Sequence, residues 1–317
     1  MTYGRLTILA LLTTLGAAAC SKHGTPSGSA PAATPAAQSA APGGASEPAR
    51  VEGTPQIVIE PSGVHIEYHV YGHGEPAIIL IHGWATDANY WSAQLRPLDS
   101  KYTTVTVDLA GHGASSKNRS DWSMASYGED VAAVAGRLDN QQIILVGHSM
   151  GATVALEAAR KIGTRVIGII AVDALKSVGL PPTPKREIET RLAPFKSDFI
   201  GATRQYVTES LFEKGADPLF VQKVAYDMSL EPADVAVASM EALLRMDLAA
   251  VVADIHVPVL AINSDLTPTD DARIRKSLPG FQSEVIPRTG HFLMMTVPEK
   301  FNPVLLRDIN TIVHRPK

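Results

Sequence analysis

The chain has a single cysteine, Cys20, in 317 residues, so no intrachain disulfide can form. It has no excess of basic charge: 28 lysines and arginines stand against 32 acidic residues, and the basic face that a nucleic-acid partner requires is missing. It has no apolar run long enough for a comfortable membrane span. There is no Gly-rich dinucleotide fingerprint, no phosphate-binding P-loop and no H-E-x-x-H metal motif, so no cofactor and no metal are implied. No internal repeat is visible. What remains is 45% hydrophobic content, enough for one sizeable core or a core with a subdomain.

The N-terminus carries Arg5 and then the apolar run "LTILALLTTLGAAA", which has the length of a secretory signal. Ala17, Ala18 and Ala19 precede Cys20. This arrangement resembles a bacterial lipoprotein signal, which implies that residues 1–19 are removed and that Cys20 becomes a lipidated first residue. The alternative is ordinary cleavage after the A-x-A of Ala17 to Ala19. Either implies export, the first with a lipid anchor in the cell envelope facing the periplasm or exterior. Residues 20–53 are mostly Ala, Pro, Ser and Gly. Such a segment buries too little apolar surface to offset its ordering entropy, so it reads as a flexible tether.

From residue 54 the pattern changes to that of a packed domain. "QIVIE" and "VHIEYHVYG" predict an antiparallel pair turning at Pro61 to Gly63. His65, Glu67 and His69 alternate with apolar residues and read as the solvated side of an edge strand rather than a metal site. Strands and helices then alternate. "AIILIHG", "YTTVTVDL", "QIILVG", "RVIGIIAVD", "VPVLAIN" and "FQSEVIPR" predict strands. Between and after them, "NYWSAQLRPLDS", "ASYGEDVAAVAGRLD", "MGATVALEAARKI", "TDDARIRKSL" and "PEKFNPVLLRDINTIV" predict helices. This alternation predicts an α/β fold with a mostly parallel sheet covered on both faces. Residues 174–256 interrupt it, too long for a loop, and read as a helical cap inserted between strands 6 and 7. Phe195, Phe199, Phe212, Phe220, Met228, Met240 and Met246 lie within it. They suggest an apolar substrate pocket, although such residues more often serve core packing.

Within "LVGHSMGA", Ser149 sits between an apolar strand and an amphipathic helix, the strand–turn–helix context of a nucleophile elbow. Gly147 and Gly151 leave room for a tight turn. The helix N-terminus behind the serine favours developing negative charge.

These motifs, with "IHGW", "VDLAGHGAS" and "TGHFLMMTVPEKF", make residues 55–315 resemble the α/β-hydrolase family. The resemblance implies an eight-stranded sheet and a triad in the order Ser, acid, His. It implies Ser149 as nucleophile and His291 as base, with an oxyanion hole formed by the backbone N–H groups of Trp84 and Met150. His148 reads as a pocket wall; His82 and His112 as supports of loop structure. The Trp84 indole either lines the acyl pocket or packs under the cap. Asp265 begins a D-x-x-P pattern directly after the seventh strand and is the expected acid. Asp173, after the sixth strand, is an alternative, and Asp270 and Asp271 are carboxylates favoured at a helix start on structural grounds alone. The expected activity is hydrolysis of a carboxylic ester or related acyl compound, with amide, lactone or C–C cleavage or acyl transfer as other uses of the same triad. The expected partner is a small, apolar acyl substrate, besides the membrane reached through the anchor. A binding protein without turnover on the same fold is the reading of a different class.

Overall fold

The predicted strands pair into one eight-stranded sheet in the spatial order Thr54–Ile59, His65–Tyr71, Thr103–Val107, Ala77–Ile81, Ile143–His148, Val166–Val172, Val259–Ser264, Gln282–Ile286. The computed structural model describes residues 53–315 apart from Pro61. The expected signal, Cys20 and nearly all of the tether lie outside the described residues. The strands are β1 (Thr54–Ile59), β2 (His65–Tyr71), β3 (Ala77–Ile81), β4 (Thr103–Val107), β5 (Ile143–His148), β6 (Val166–Val172), β7 (Val259–Ser264) and β8 (Gln282–Ile286). β1 and β2 pair antiparallel, β2 joins β4 antiparallel, and the remaining ladders are parallel.

Helices cover both faces, as a sheet of continuous apolar strands demands. In chain order they are α1 (Ser92–Asp99), α2 (Met124–Ala135), α3 (Met150–Ile162), α4 (Lys185–Ser197), α5 (Phe199–Ser210), α6 (Pro218–Ser229), α7 (Ala233–Arg245), α8 (Leu248–Val252), α9 (Asp271–Ser277), α10 (Leu293–Thr296) and α11 (Pro298–Val313). β3 and β5 lie at the centre, and every residue of both is buried. β1 is the edge and leaves Ile57 and Ile59 exposed. On β2, Ile66 and Tyr68 are buried while His65 is exposed. His69 and Glu67 form only a loose pair at 3.9 Å. No group of three metal-ligating side chains occurs among the described residues.

α3 shows how sequence becomes position. Its Ala-rich sequence has high helix propensity, and Met150 to Ala159 are all buried. Arg160 and Lys161 fall in the last turn, where cations complement the helix dipole. Gly163, at φ 72°, ends it in a conformation that glycine adopts without strain. Its N-terminus therefore opens at the carboxyl end of the central strand β5, where open α/β sheets place their ligands. Helices α4 to α8 fill the segment between β6 and β7, the place read as a helical insertion. Among the described residues no helix is long and apolar enough to cross a membrane.

Candidate active site

Ser149 stands between β5 and α3 with φ 52° and ψ −117°, a strained conformation for a residue with a Cβ. Such a conformation costs on the order of 1–3 kcal/mol and persists only where the surroundings enforce it. Here the Ser149 N–H donates to the Val172 carbonyl at 2.9 Å, tying the elbow to the end of β6. A Cβ on Gly147 would overlap the Gly151 carbonyl, and one on Gly151 would overlap the carbonyls of Ile81 and His82. Both glycines are thus required by close backbone approach. Gly147→Ala is expected to force the turn open and lower stability by about 3 kcal/mol, read as a reduced urea midpoint. An unchanged midpoint would show that the elbow tolerates a Cβ.

The His82-Gly83-Trp84 loop abuts the elbow: a Cβ on Gly83 would lie 3.3 Å from Ser149 Cβ and 2.8 Å from His148 Nδ1. His82 is fully buried and holds this loop. Its Nδ1–H donates to the Gly83 carbonyl at 2.8 Å, and its Nε2 accepts from Leu109 N–H at 3.0 Å. Burial lowers its pKa, which keeps it neutral. His112 is likewise buried, with its pKa driven down to about 3 by burial and then by His82. The Asp108 carboxylate accepts from the Ala88 and Ala114 N–H groups at 2.8 and 2.9 Å, so the "VDLAGHGAS" run is structural.

The Trp84 indole packs beneath the inserted helices. Its Nε1–H donates to the Ala236 carbonyl of α7 at 2.7 Å. Its ring meets Phe195, Phe199 and Tyr206 edge-on, at centroid distances of 5.7, 6.3 and 6.2 Å. Phe212 and Met228 are also buried in the core. Most of the apolar residues of the insertion are therefore packing residues.

The carboxylate beside His291 is not the expected Asp265. The carboxylate that meets His291 belongs to Asp173: His291 Nδ1–H donates to Asp173 Oδ2 at 2.6 Å. Asp173 follows β6 at φ 44°, a second strained position at the same sheet edge. Its other oxygen accepts from the Ser264 N–H and hydroxyl, both at 2.8 Å, and from Lys176 Nζ at 2.7 Å. Burial alone would raise its pKa, but His291 and Lys176 outweigh that and hold it well below the usual carboxylate range. Asp265 points elsewhere. Its exposed carboxylate accepts from the backbone N–H groups of Arg288 at 2.8 Å and Thr289 at 3.2 Å. Those two bonds lower its pKa. Asp265 thus shapes the histidine loop without touching the imidazole. The physical reason is local: those two amides hold both Asp265 oxygens, whereas Asp173 Oδ2 is left to accept from the ring. Asp270 caps α9 through Arg273 N–H at 3.0 Å, and Asp271 pairs with Arg275 at 2.7 Å, as helix-start carboxylates do.

His148 also departs from the expectation. It is 1% exposed and braces His291 instead of lining a pocket. Its Nε2–H donates to the His291 carbonyl at 2.9 Å, and the two rings lie 4.6 Å apart. Burial, then the neighbouring His291, pushes its pKa down to about 3, so it adds no charge beside the His291 ring. The inserted segment supplies a further hold that sequence reasoning missed: the Leu211 carbonyl accepts from His291 N–H at 2.8 Å. No side-chain motif announces a backbone carbonyl.

A model of the alpha/beta hydrolase family matches residues 78–304. The chain belongs to that family. An uncharacterized protein of Mycobacterium tuberculosis is 35% identical over 112 residues, which cover 35% of this chain and 33% of that protein. The match thus spans about a third of that relative. A 2-(acetamidomethylene)succinate hydrolase of Mesorhizobium japonicum is 25% identical over 237 residues, 71% of this chain and 84% of that protein. Among solved structures, an esterase of Thermogutta terrifontis superposes with a TM-score of 0.72 at 22% identity, covering 82% of this chain and 99% of that one.

Proposed function

We propose that this chain is a serine hydrolase that cleaves a carboxylic ester, or a related acyl compound, through an acyl-enzyme. Ser149 is the nucleophile, His291 the base and Asp173 the acid. The observation that carries the reading is the 2.6 Å bond from His291 Nδ1 to a buried carboxylate whose strand end also binds the N–H of a strained serine.

A serine hydroxyl is a weak nucleophile until a base takes its proton. With Nδ1–H committed to Asp173, Nε2 is the ring nitrogen left to accept it. As the Ser149 oxygen bonds the acyl carbon, the proton passes to Nε2 and the Asp173 charge stabilises the imidazolium. The oxyanion is received by the backbone N–H groups of Trp84 and Met150, the latter at the N-terminus of α3. One such donor is worth about 3–4 kcal/mol in the transition state. The imidazolium then protonates the leaving alcohol, and water, activated by the same base, releases the acid and restores Ser149. The alternative of a binding protein is disfavoured by the His291–Asp173 pair and by the strained Ser149 held at the same sheet edge. A panel of p-nitrophenyl esters from short to long acyl chains tests the reaction class. Absence of turnover on every chain length, with no enrichment over buffer, would exclude ester hydrolysis.

We further propose that the protein is exported and anchored through a lipidated Cys20. Cys20→Ser is expected to move it from the membrane to the soluble fraction. Unchanged fractionation would refute the anchor.

A further inference from the structure

We propose that Lys176 is a positioning residue that sets the pH range of the base by competing with His291 for the charge of Asp173. This rests on the triad reading above. Lys176 lies three residues beyond Asp173, and its Nζ reaches Asp173 Oδ1 at 2.7 Å, on the opposite oxygen from the one His291 uses. The ammonium is fixed from two further sides, by the Ser264 carbonyl at 3.2 Å and the Thr267 hydroxyl at 3.1 Å. Its side chain is only 15% exposed, so the charge is weakly screened. Arg273 in turn donates to the Lys176 carbonyl, which ties its backbone to α9.

A triad acid normally gives its whole charge to the imidazolium. Here Asp173 serves two cations. When the ring is neutral, the group of Lys176, Asp173 and His291 carries no net charge; protonating the ring takes it to +1. Without Lys176 the same protonation would run from −1 to zero, which is easier in a buried site. The ammonium therefore keeps the base unprotonated, and the enzyme active, at lower pH than the serine, histidine and aspartate alone would allow.

The other charged groups near the ring do not take over this role. His148 is neutral for the reason given above. Asp265 is exposed and spends its oxygens on the Arg288 and Thr289 amides. The Arg288 side chain lies on an exposed loop residue. Glu213, on the segment after α5, brings its Oε2 to the backbone at Gly290. Of these groups, Lys176 alone forms an ion pair with the acid.

The test is the pH profile of kcat/KM on a p-nitrophenyl ester, with product quantified independently of nitrophenol ionisation. Its acidic limb reports the ionisation of the free enzyme's base. In Lys176→Met, and in Lys176→Gln as a second neutral variant, the limb is expected to move up by about one pH unit, on the order of what one partly screened unit charge on the far side of a shared carboxylate exerts. Lys176→Arg, which keeps the charge, is expected to restore it. A lowered plateau with an unmoved limb in both neutral variants would mean that Lys176 only holds the loop, and would overturn the inference. Ser149→Ala, measured on the same substrate, separates the two levels: an active Ser149→Ala enzyme overturns the triad itself.

Discussion

Ser149→Ala is expected to lower kcat by about 10⁵-fold or more while leaving KM within a few-fold. On the proposed mechanism the loss is large because a triad acts as a unit: with its nucleophile gone, the base and the oxyanion donors have no covalent intermediate to serve. The fold is expected to survive. Alanine has the same Cβ as serine at φ 52°, and the Ser149 side chain makes no cap bond to α3, so the backbone strain is unchanged and no cap is lost. The melting temperature should therefore stay within a few degrees, which separates lost chemistry from lost structure. A fluorophosphonate should label the wild type once per chain, at Ser149, and leave the variant unlabelled. Activity within tenfold of wild type, or labelling of the variant, would remove Ser149 from the mechanism.

The parts of the site that were legible in the sequence are those with local signatures. The elbow is written in a short stretch, because the steric need for Gly147 and Gly151 arises from neighbours close in sequence or on the adjoining β3. His291 is marked by its place after the last strand. The carboxylate that meets the imidazole is not local in this sense. Two aspartates follow consecutive parallel strands, Asp173 after β6 and Asp265 after β7, and both bond to the histidine loop. Which one reaches the ring depends on side-chain direction, which a D-x-x-P pattern does not encode. One cue was available: Asp173 is followed three residues later by Lys176, a spacing that places an ammonium against a carboxylate when the turn is tight. The role of His148 was hidden for a related reason. Its partner is a backbone carbonyl 143 residues away. The indole of Trp84 shows the same limit: its hydrogen bond to α7 spans 152 residues.

The same distinction between the two aspartates gives the second large effect. Asp173→Asn is expected to lower kcat by about 10⁴-fold, and Asp265→Asn by no more than about tenfold. At position 173 the environment dictates how an amide must sit. The Ser264 N–H, the Ser264 hydroxyl and Lys176 Nζ all donate to Oδ1, so the amide oxygen must occupy that side. The amide NH₂ then faces His291 Nδ1 where a carboxylate oxygen stood. It can only donate, so Nδ1 becomes the acceptor and the ring proton moves to Nε2. A base carrying its proton on Nε2 cannot take one from Ser149, and the imidazolium loses its counter-charge as well. At position 265 the change is of another kind. Two backbone N–H groups point at the carboxylate, and an amide can satisfy one of them. The cost is one charge-assisted hydrogen bond at an exposed, solvent-screened site, and it appears mainly in the stability of the histidine loop. Steady-state kinetics of the two variants side by side decide the matter. A greater loss of kcat in Asp265→Asn than in Asp173→Asn would return the acid to β7, and would mean that the Asp173–His291 bond is not the one used in turnover.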